Sequence, residues 1–156
     1  MNYIGIDPGK HGAIAAITPT GLSVWPTPMI GKEYDIQVMS GLLGFSSEPC
    51  RAVIERVHAM PKQGRTSMLS IGYGAGLWHA LLTVHHIGFS VVSAVTWQKM
   101  MLAGVNCDDR KRASILVAKR LFPGVSLRRT DACRVDDDGM ADALLMAEYA
   151  RRTGGQ

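Results

Sequence analysis

The sequence predicts a mixed α/β domain in which an antiparallel meander of strands is followed by alternating strands and helices. Its 156 residues are 47% hydrophobic, which allows a single core of ordinary size. Three short runs of strand-forming residues, each ended by a turn, open the chain, and strand and helix periodicities alternate after them. We therefore expect one layered domain over residues 1–156, with elements in the order β-β-β-α-β-α-β-α-α.

The meander is predicted from apolar segments that are separated by proline- and glycine-containing turns. The first strand has the β-branched residues Ile4 and Ile6 in an apolar context, and the Pro8-Gly9 turn ends it. The predicted segments are strands over Asn2–Asp7, Gly12–Thr18 and Leu22–Trp25, followed by a loop over Pro26–Lys32.

The rest of the chain is predicted from its hydrophobic period and its helix-capping residues. Two buried strands are expected, over Arg51–Val57 and Phe89–Val95. The polar stretch HAMPKQGRTS has no apolar period and predicts a long loop. The predicted helices are Asp35–Leu43, Ser67–His86, Thr96–Leu102 capped by Thr96, a segment from an Asp108 or Asp109 cap to Leu121, and a last one from near Asp136–Asp138 to about Arg152.

Composition and charge exclude several classes of protein. No run of about 18 apolar residues is present, so we expect no membrane span, and the N-terminus does not have the pattern of a signal peptide. The three cysteines are dispersed, which argues against a disulfide framework or a zinc knuckle and predicts a reducing, cytoplasmic location. The net charge of +4 is compatible with a polyanionic partner, above all nucleic acid.

Carboxylates occur at three places where packing alone does not favour them. Asp7 ends the first predicted strand, and Glu55 interrupts the apolar run VIERV of a later one. Asp138 and Asp142 are four residues apart, which is about 400° of rotation and places them on one face of the last helix. Like charges at that spacing destabilise a helix, so something must compensate for them.

Each carboxylate also has a purely structural interpretation. Asp136 and Asp137 fit the cap and first turn of the last helix, where the helix dipole favours acids. Asp7 could cap the turn that follows it, and Glu55 could pair with a neighbouring arginine. Asp142 is harder to explain in this way, because it lies within the helix beside apolar positions.

Considered together, the carboxylates indicate a site for divalent metal ions. Several carboxylates brought close together repel one another unless cations lie between them. Oxygen ligands favour Mg²⁺ or Mn²⁺ over Zn²⁺, and no H-E-x-x-H motif or cysteine pair offers a zinc site. Two such cations roughly 4 Å apart can bind the attacking water and the leaving oxygen in phosphodiester hydrolysis.

Three motifs in a fixed order carry a family resemblance that spans nearly the whole chain. GIDPG ends the first strand, IER lies in a later central strand, and DDGMADALLMAEYA forms the last helix. This set resembles the RuvC-type Holliday-junction resolvases (crossover junction endodeoxyribonucleases) of the RNase H-like superfamily. HAMPKQGRTSM and AVTWQKM are similar to the phage-encoded and organellar branch of that family.

The resemblance implies a fold, an activity and an assembly. The fold would be an RNase H-like mixed sheet, an antiparallel meander joined to parallel strands and flanked by helices. The activity would be symmetric nicking of a four-way DNA junction by a homodimer that uses Mg²⁺ or Mn²⁺, two per active site. A phage source would place the protein in the cytoplasm of the host cell. The nearest alternative is an RNase H-like nuclease acting on other branched DNA, flaps or RNA–DNA hybrids; a non-catalytic DNA-binding module and an actin-like ATPase are more distant.

The motif positions imply catalytic roles, which fall on Asp7, Glu55, Asp138, Asp142 and Lys111, with the four acids as metal ligands. The fourth acid is assigned less directly than the others. In many family members it lies three residues before the last aspartate, and Gly139 occupies that position here. Asp138 is therefore expected to take the role, with Asp137 as the alternative. Lys111 would approach the scissile phosphate.

The resemblance also implies which residues meet DNA. The expected contacts are Lys62, Gln63, Arg65, Thr66, Ser67, Lys99, Arg110 and Lys111. Met60 or Met68 could press on an unstacked base. Trp97 is expected in the core rather than against a base. The glycines of SIGYGAGLW are expected to allow close helix packing across a dimer, because no strand precedes them as a dinucleotide site requires.

Overall fold

A computed structural model describes residues 1–44, 48–58 and 64–154, with Arg65 described by its backbone alone. These residues form seven strands and five helices. The strands are β1 (Asn2–Asp7), β2 (Ala13–Thr18), β3 (Gly21–Pro26), β4 (Met29–Ile30), β5 (Glu33–Tyr34), β6 (Cys50–Glu55) and β7 (Gly88–Val92). The helices are α1 (Ile36–Leu43), α2 (Arg65–Val84), α3 (Ala94–Met101), α4 (Arg110–Leu121) and α5 (Asp138–Thr153).

The main sheet is mixed, with strand order β3-β2-β1-β6-β7. β1 pairs antiparallel with β2 and parallel with β6, and β6 pairs parallel with β7. Ile6 is opposite Ile54 in the parallel register of β1 and β6. Because parallel strands end at the same edge of a sheet, the next residues, Asp7 and Glu55, both lie at that edge. The expected fold class, a mixed sheet flanked by helices, is confirmed.

Helices cover both faces of the sheet. One core contains Ile4, Ile6 and Trp78 and lies under α1 and α2, and the other joins the sheet to α3, α4 and α5. α5 lies directly on β1, since a Cβ atom at Gly5 would overlap the backbone of Ala143 and Ala147. Gly5 and Asp7 are two residues apart and share a face of the strand, so Asp7 projects toward α5.

The structure corrects some of the predicted boundaries. The segment predicted as loop, Pro26–Lys32, contains β4 and leads into β5, because Gly31 at φ +60° turns the chain into a short hairpin. α3 is capped by Ser93 and not by Thr96, because the Ser93 side chain accepts a hydrogen bond from Thr96 N–H at 3.2 Å. This cap ends β7 at Val92.

Other boundaries shift by a few residues. β6 ends at Glu55 rather than Val57, and α2 begins at Arg65 and ends at Val84. Asp109, rather than Asp108, caps α4 through the backbone N–H groups of its first turn. Within the described ranges, none of the helices has both the length and the hydrophobicity that a membrane span needs.

Candidate active site

Asp7 is the fixed acid at the centre of the predicted site. Burial and the charges of Glu55, Asp138 and Asp137 together raise its pKa from 3.8 to about 7, although a hydrogen bond from the Gly9 backbone opposes the rise. The start of α5 lies close to Asp7, because a Cβ atom at Gly139 would be 3.2 Å from Asp7 Oδ2. Asp7 thus interacts electrostatically with the acid of β6 and with those at the start of α5.

Glu55 is held by a side chain that the sequence assigned only to the core. Trp97 Nε1–H donates a hydrogen bond to Glu55 Oε2 at 2.8 Å. Burial raises the pKa of Glu55, and the Trp97 hydrogen bond and the charge of His58 oppose that rise. Trp97 is fully buried, so its predicted place in the core is confirmed. Its contact with Glu55 was not predicted.

Asp142 lies one turn into α5 and faces the sheet. Its Oδ1 atom is buried and has no hydrogen-bond partner among the described residues. Burial and the charges of Asp7, Glu55 and Asp138 together raise the pKa of Asp142 to about 7. The nearby Ser114 hydroxyl opposes the rise, although it makes no hydrogen bond of ordinary geometry. Among the described residues, Asp142 is therefore a deeply placed acid that forms no ion pair.

The three aspartates at the start of α5 each have a basic partner. The pairs are Lys119 with Asp136, Arg129 with Asp137 at 3.0 Å, and Lys111 with Asp138 at 2.9 Å. Asp137 also caps α5, because its Oδ1 accepts a hydrogen bond from Met140 N–H at 2.9 Å. Both Asp137 oxygens are thus engaged within the protein, whereas Asp138 is held only by an exposed lysine.

Arg129 connects the start of α5 to the turn after Asp7. Its Nη1 donates to the His11 carbonyl at 2.7 Å and to Asp137 Oδ2 at 3.0 Å, and its Nη2 donates to the Gly12 carbonyl at 3.3 Å. A planar guanidinium can hold several acceptors in one fixed arrangement. Arg129 therefore sets how α5 sits against the turn. Sequence reasoning missed this residue, because nothing in the local pattern links it to a turn 118 residues away.

An open cleft runs beside these acids. Its volume is about 440 Å³, and its lining includes Asp7, Asp138, Lys111, Lys10 and Ser67. Carboxylates thus lie next to lysines at one surface opening. A cleft of this kind suits a substrate that carries negative charge and a divalent cation that neutralises the acids.

The acid set fits a divalent cation in its chemistry. The donors are carboxylate oxygens, which suit Mg²⁺ or Mn²⁺, and Asp142 offers a buried Oδ1 that has no hydrogen-bond partner among the described residues. In the part of the chain that the structure describes, no three acidic, histidine or cysteine side chains close around one point as a finished metal site would. Glu55 and Asp138 each have one oxygen bound by a protein donor, Trp97 and Lys111 respectively.

The predicted DNA contacts are distributed over several places. Ser67 lines the acid cleft, and Thr66 beside it is exposed at the start of α2. Lys99 and Arg110 line a different groove between α3 and α4, where Arg110 Nη1 donates to Gln98 Oε1 at 2.7 Å. Lys62, Gln63 and Met60 lie outside the described residues, as does the side chain of Arg65.

Two solved structures of Thermus thermophilus RuvC have a similar fold. The structure of Thermus thermophilus RuvC in complex with a Holliday junction substrate matches with a TM-score of 0.59 and 16% identity, covering 99% of this chain and 97% of that one. A second Thermus thermophilus RuvC structure matches with a TM-score of 0.55 and 14% identity, covering 99% and 98%. No protein-family model and no curated protein sequence matches the chain. At these identities the likeness establishes the fold, which is the RNase H-like fold of RuvC.

Proposed function

We propose that this protein is a divalent-metal-dependent endonuclease that resolves four-way DNA junctions by symmetric nicking as a homodimer. The observation that carries the proposal is the acid set at the sheet edge, where Asp7 and Asp142 have pKa values raised to about 7. Strongly shifted carboxylates in a cleft are typical of functional sites. The proposal is supported by the fold shared with RuvC, one structure of which holds a Holliday junction substrate.

The residues that would hold Mg²⁺ or Mn²⁺ are Asp7, Glu55, Asp138 and Asp142, with two ions in each active site. Asp138 is preferred to Asp137 because both Asp137 oxygens are engaged by Arg129 and by the start of α5. When bound, such ions stabilise the attacking and the leaving oxygen of the phosphodiester. The rigid ends of β1 and β6 keep Asp7 and Glu55 in a fixed relation, which metal ligation requires.

Lys111 would bind the scissile phosphate from the far side of the cleft. Its ammonium now pairs with Asp138 at 2.9 Å, and its side chain is 75% exposed. An exposed pair of this kind contributes little to stability, so Lys111 can exchange its carboxylate partner for a phosphate at small cost. The side chains of Lys62, Gln63, Arg65, Thr66, Ser67, Lys99 and Arg110 would bind the DNA backbone and recognise its shape.

The homodimer is proposed through the exposed face of α2. From Thr66 to Val84 this helix has no lysine, arginine, aspartate or glutamate. Leu69 is 75% exposed, Tyr73 51% and Val84 71%, and small residues lie between them on the same face. An uncharged helix face of this length is suited to pack against its own copy about a twofold axis.

The proposal is tested by cleavage of a synthetic four-way junction with Mg²⁺, with Mn²⁺ and with a chelator. Wild type should nick opposite strands with either metal and should not cut with the chelator. Asp7→Asn should cut more slowly by on the order of 100-fold or more, the scale of losing one electrostatic stabiliser in an active site, while still binding the junction. Asp131→Asn is the matched control, because Asp131 is exposed and outside the acid set.

The same assay separates the competing functions. Flap and RNA–DNA hybrid substrates are compared with the junction under one condition. Faster cutting of a flap or hybrid than of the junction would show that the junction is not the preferred substrate. The proposed metal site would be unaffected by that result. Junction binding without cleavage by wild type would identify a DNA-binding module. Equal cleavage by Asp7→Asn and Asp131→Asn would refute the proposed metal site.

A further inference from the structure

A single buried indole binds the acid at the end of β6. Trp97 Nε1–H donates to Glu55 Oε2 at 2.8 Å across 42 residues of sequence. An indole N–H can donate but not accept, so Trp97 engages one carboxylate oxygen and is not itself a metal ligand. Among the described residues, the other oxygen of Glu55 has no hydrogen-bond partner. Glu55 therefore keeps one oxygen fixed and one available.

The indole itself is held by the core. Ser93 caps α3, and Trp97 follows in the first turn of that helix, fully buried. Its ring belongs to the core that also contains Met140, Ala141 and Leu144 of α5. These residues flank Asp142 in the sequence of the same helix. Trp97 thus connects the carboxylate of Glu55 to the packing that positions the helix of Asp142.

Burial of an indole in this fold does not by itself produce such a hydrogen bond. Trp78 is also fully buried, in the core on the opposite face of the sheet. Its Nε1 has no hydrogen-bond partner among the described residues. The two tryptophans therefore differ in one respect that matters here: only the indole of Trp97 meets a carboxylate of the acid set.

We propose that Trp97 is a positioning residue of the metal site, which holds Glu55 Oε2 and so leaves Oε1 as the oxygen available to a divalent cation. This inference rests on the proposed metal-dependent function. The hydrogen bond limits rotation of the carboxylate, and donors of this kind behind a metal ligand commonly govern the affinity of the site. Trp97 acts through Glu55 and does not touch the substrate.

The test compares Trp97→Phe with Trp78→Phe in the full-length protein. Both changes shorten a fully buried tryptophan to the same smaller ring, but only the first removes a hydrogen bond to an acid. Calorimetric titration with MnCl₂ should give a dissociation constant about 10-fold weaker for Trp97→Phe than for wild type, the lower end of the range for losing such a partner. Trp78→Phe should bind Mn²⁺ as wild type does, with a comparable loss in melting temperature.

A measurement on wild type keeps the inference testable if Trp97→Phe does not fold. The protein has three tryptophans, so an NMR spectrum of the ¹⁵N-labelled chain shows up to three indole N–H signals. Titration with Mg²⁺ should shift the Trp97 indole signal, because the carboxylate that accepts its hydrogen bond through Oε2 would bind the cation through Oε1. The Trp78 signal, assigned from Trp78→Phe, should stay in place.

The outcomes separate this inference from the function on which it rests. Wild type that binds Mn²⁺, together with Trp97→Phe that binds it equally well, would overturn the positioning role and leave the metal site intact. A Trp97 signal that does not move at saturating Mg²⁺ would do the same. Wild type that binds neither ion would overturn the proposed function, and the role of Trp97 with it.

Discussion

Two groups of acids lie at one edge of the sheet, and they differ in whether a basic side chain pairs with them. Asp136, Asp137 and Asp138 at the start of α5 each pair with a lysine or an arginine. Asp7 and Asp142 are more deeply placed, and within the described part of the chain neither forms an ion pair. Burial and the charges of neighbouring acids raise the pKa of each to about 7.

The paired acids stabilise the fold, whereas the unpaired acids are available to bind a partner from outside the protein. A carboxylate that caps a helix or pairs with a cation contributes to folding. A buried carboxylate with no cation destabilises the charged folded state, and a protein keeps such a group only where something else compensates. Under the proposed function that compensation is a divalent cation bound at Asp7 and Asp142. Asp138 belongs to both groups, since an exposed lysine holds it only weakly.

The largest expected effect tests this division by cleavage. Asp142→Asn should slow junction cutting by on the order of 100-fold or more, because under the proposed function it removes a metal ligand. Asp136→Asn, a change of the same size on an acid that already has Lys119 as partner, should cut within a few-fold of wild type. The measurement is initial rate on a labelled four-way junction in Mg²⁺. If both variants lost the same amount of cleavage rate, the two groups of acids would not differ in function.

An intermediate effect is expected on stability without metal. The unfolded chain releases the Asp7 proton near pH 3.8, whereas the folded protein keeps it to about pH 7. Because the folded state binds more protons between these values, its free energy of unfolding falls as pH rises through that window and then levels off. Asp7→Asn cannot ionise, so at pH 8 it should be more stable than metal-free wild type by on the order of 4 kcal/mol.

Urea unfolding in the presence of a chelator, at pH 4 and at pH 8, checks this expectation. At pH 4 the two proteins should be nearly equal, because the folded wild type then keeps the proton. Asp131→Asn, the control, should have the same stability as wild type at pH 4 and at pH 8. If Asp7→Asn were less stable than wild type at pH 8, Asp7 would have a favourable partner within the protein. That result would contradict the division between paired and unpaired acids.

The smallest expected effect concerns the paired acids. Arg129→Lys keeps the charge beside Asp137 but loses the fork that reaches the His11 and Gly12 carbonyls, so it should lower stability by about 1 kcal/mol. Lys119→Met breaks a more exposed pair with Asp136 and should change stability by less than about 0.5 kcal/mol. Thermal unfolding measures both. If Lys119→Met lost more stability than Arg129→Lys, the Lys119–Asp136 pair would be the more important of the two for the fold, contrary to this expectation.

Local patterns predicted much of the fold because the forces behind them are local. β1 was predicted over its full length from β-branched residues and a Pro-Gly turn. A helix was predicted over Asp35–Leu43, and α1 forms there, with the Asp35 side chain accepting from Val38 N–H at 3.0 Å as its cap. Ser93 and Thr96 show the limit of such reasoning. Both residue types cap helices, and only the end of β7 decides which of them begins α3.

The sequence by itself determined the strands of the main sheet and the helices, but not the β4–β5 hairpin, because hydrophobic period, turns and caps act between neighbouring residues. It also showed that Asp7, Glu55, Asp138 and Asp142 are unusual. Which acid has a partner was decided by the tertiary structure alone. Trp97 reaches Glu55 across 42 residues, and Arg129 reaches the turn after Asp7 across more than a hundred. Such contacts depend on how α3 and α5 pack against the sheet, and packing brings together residues that no spacing in the chain relates.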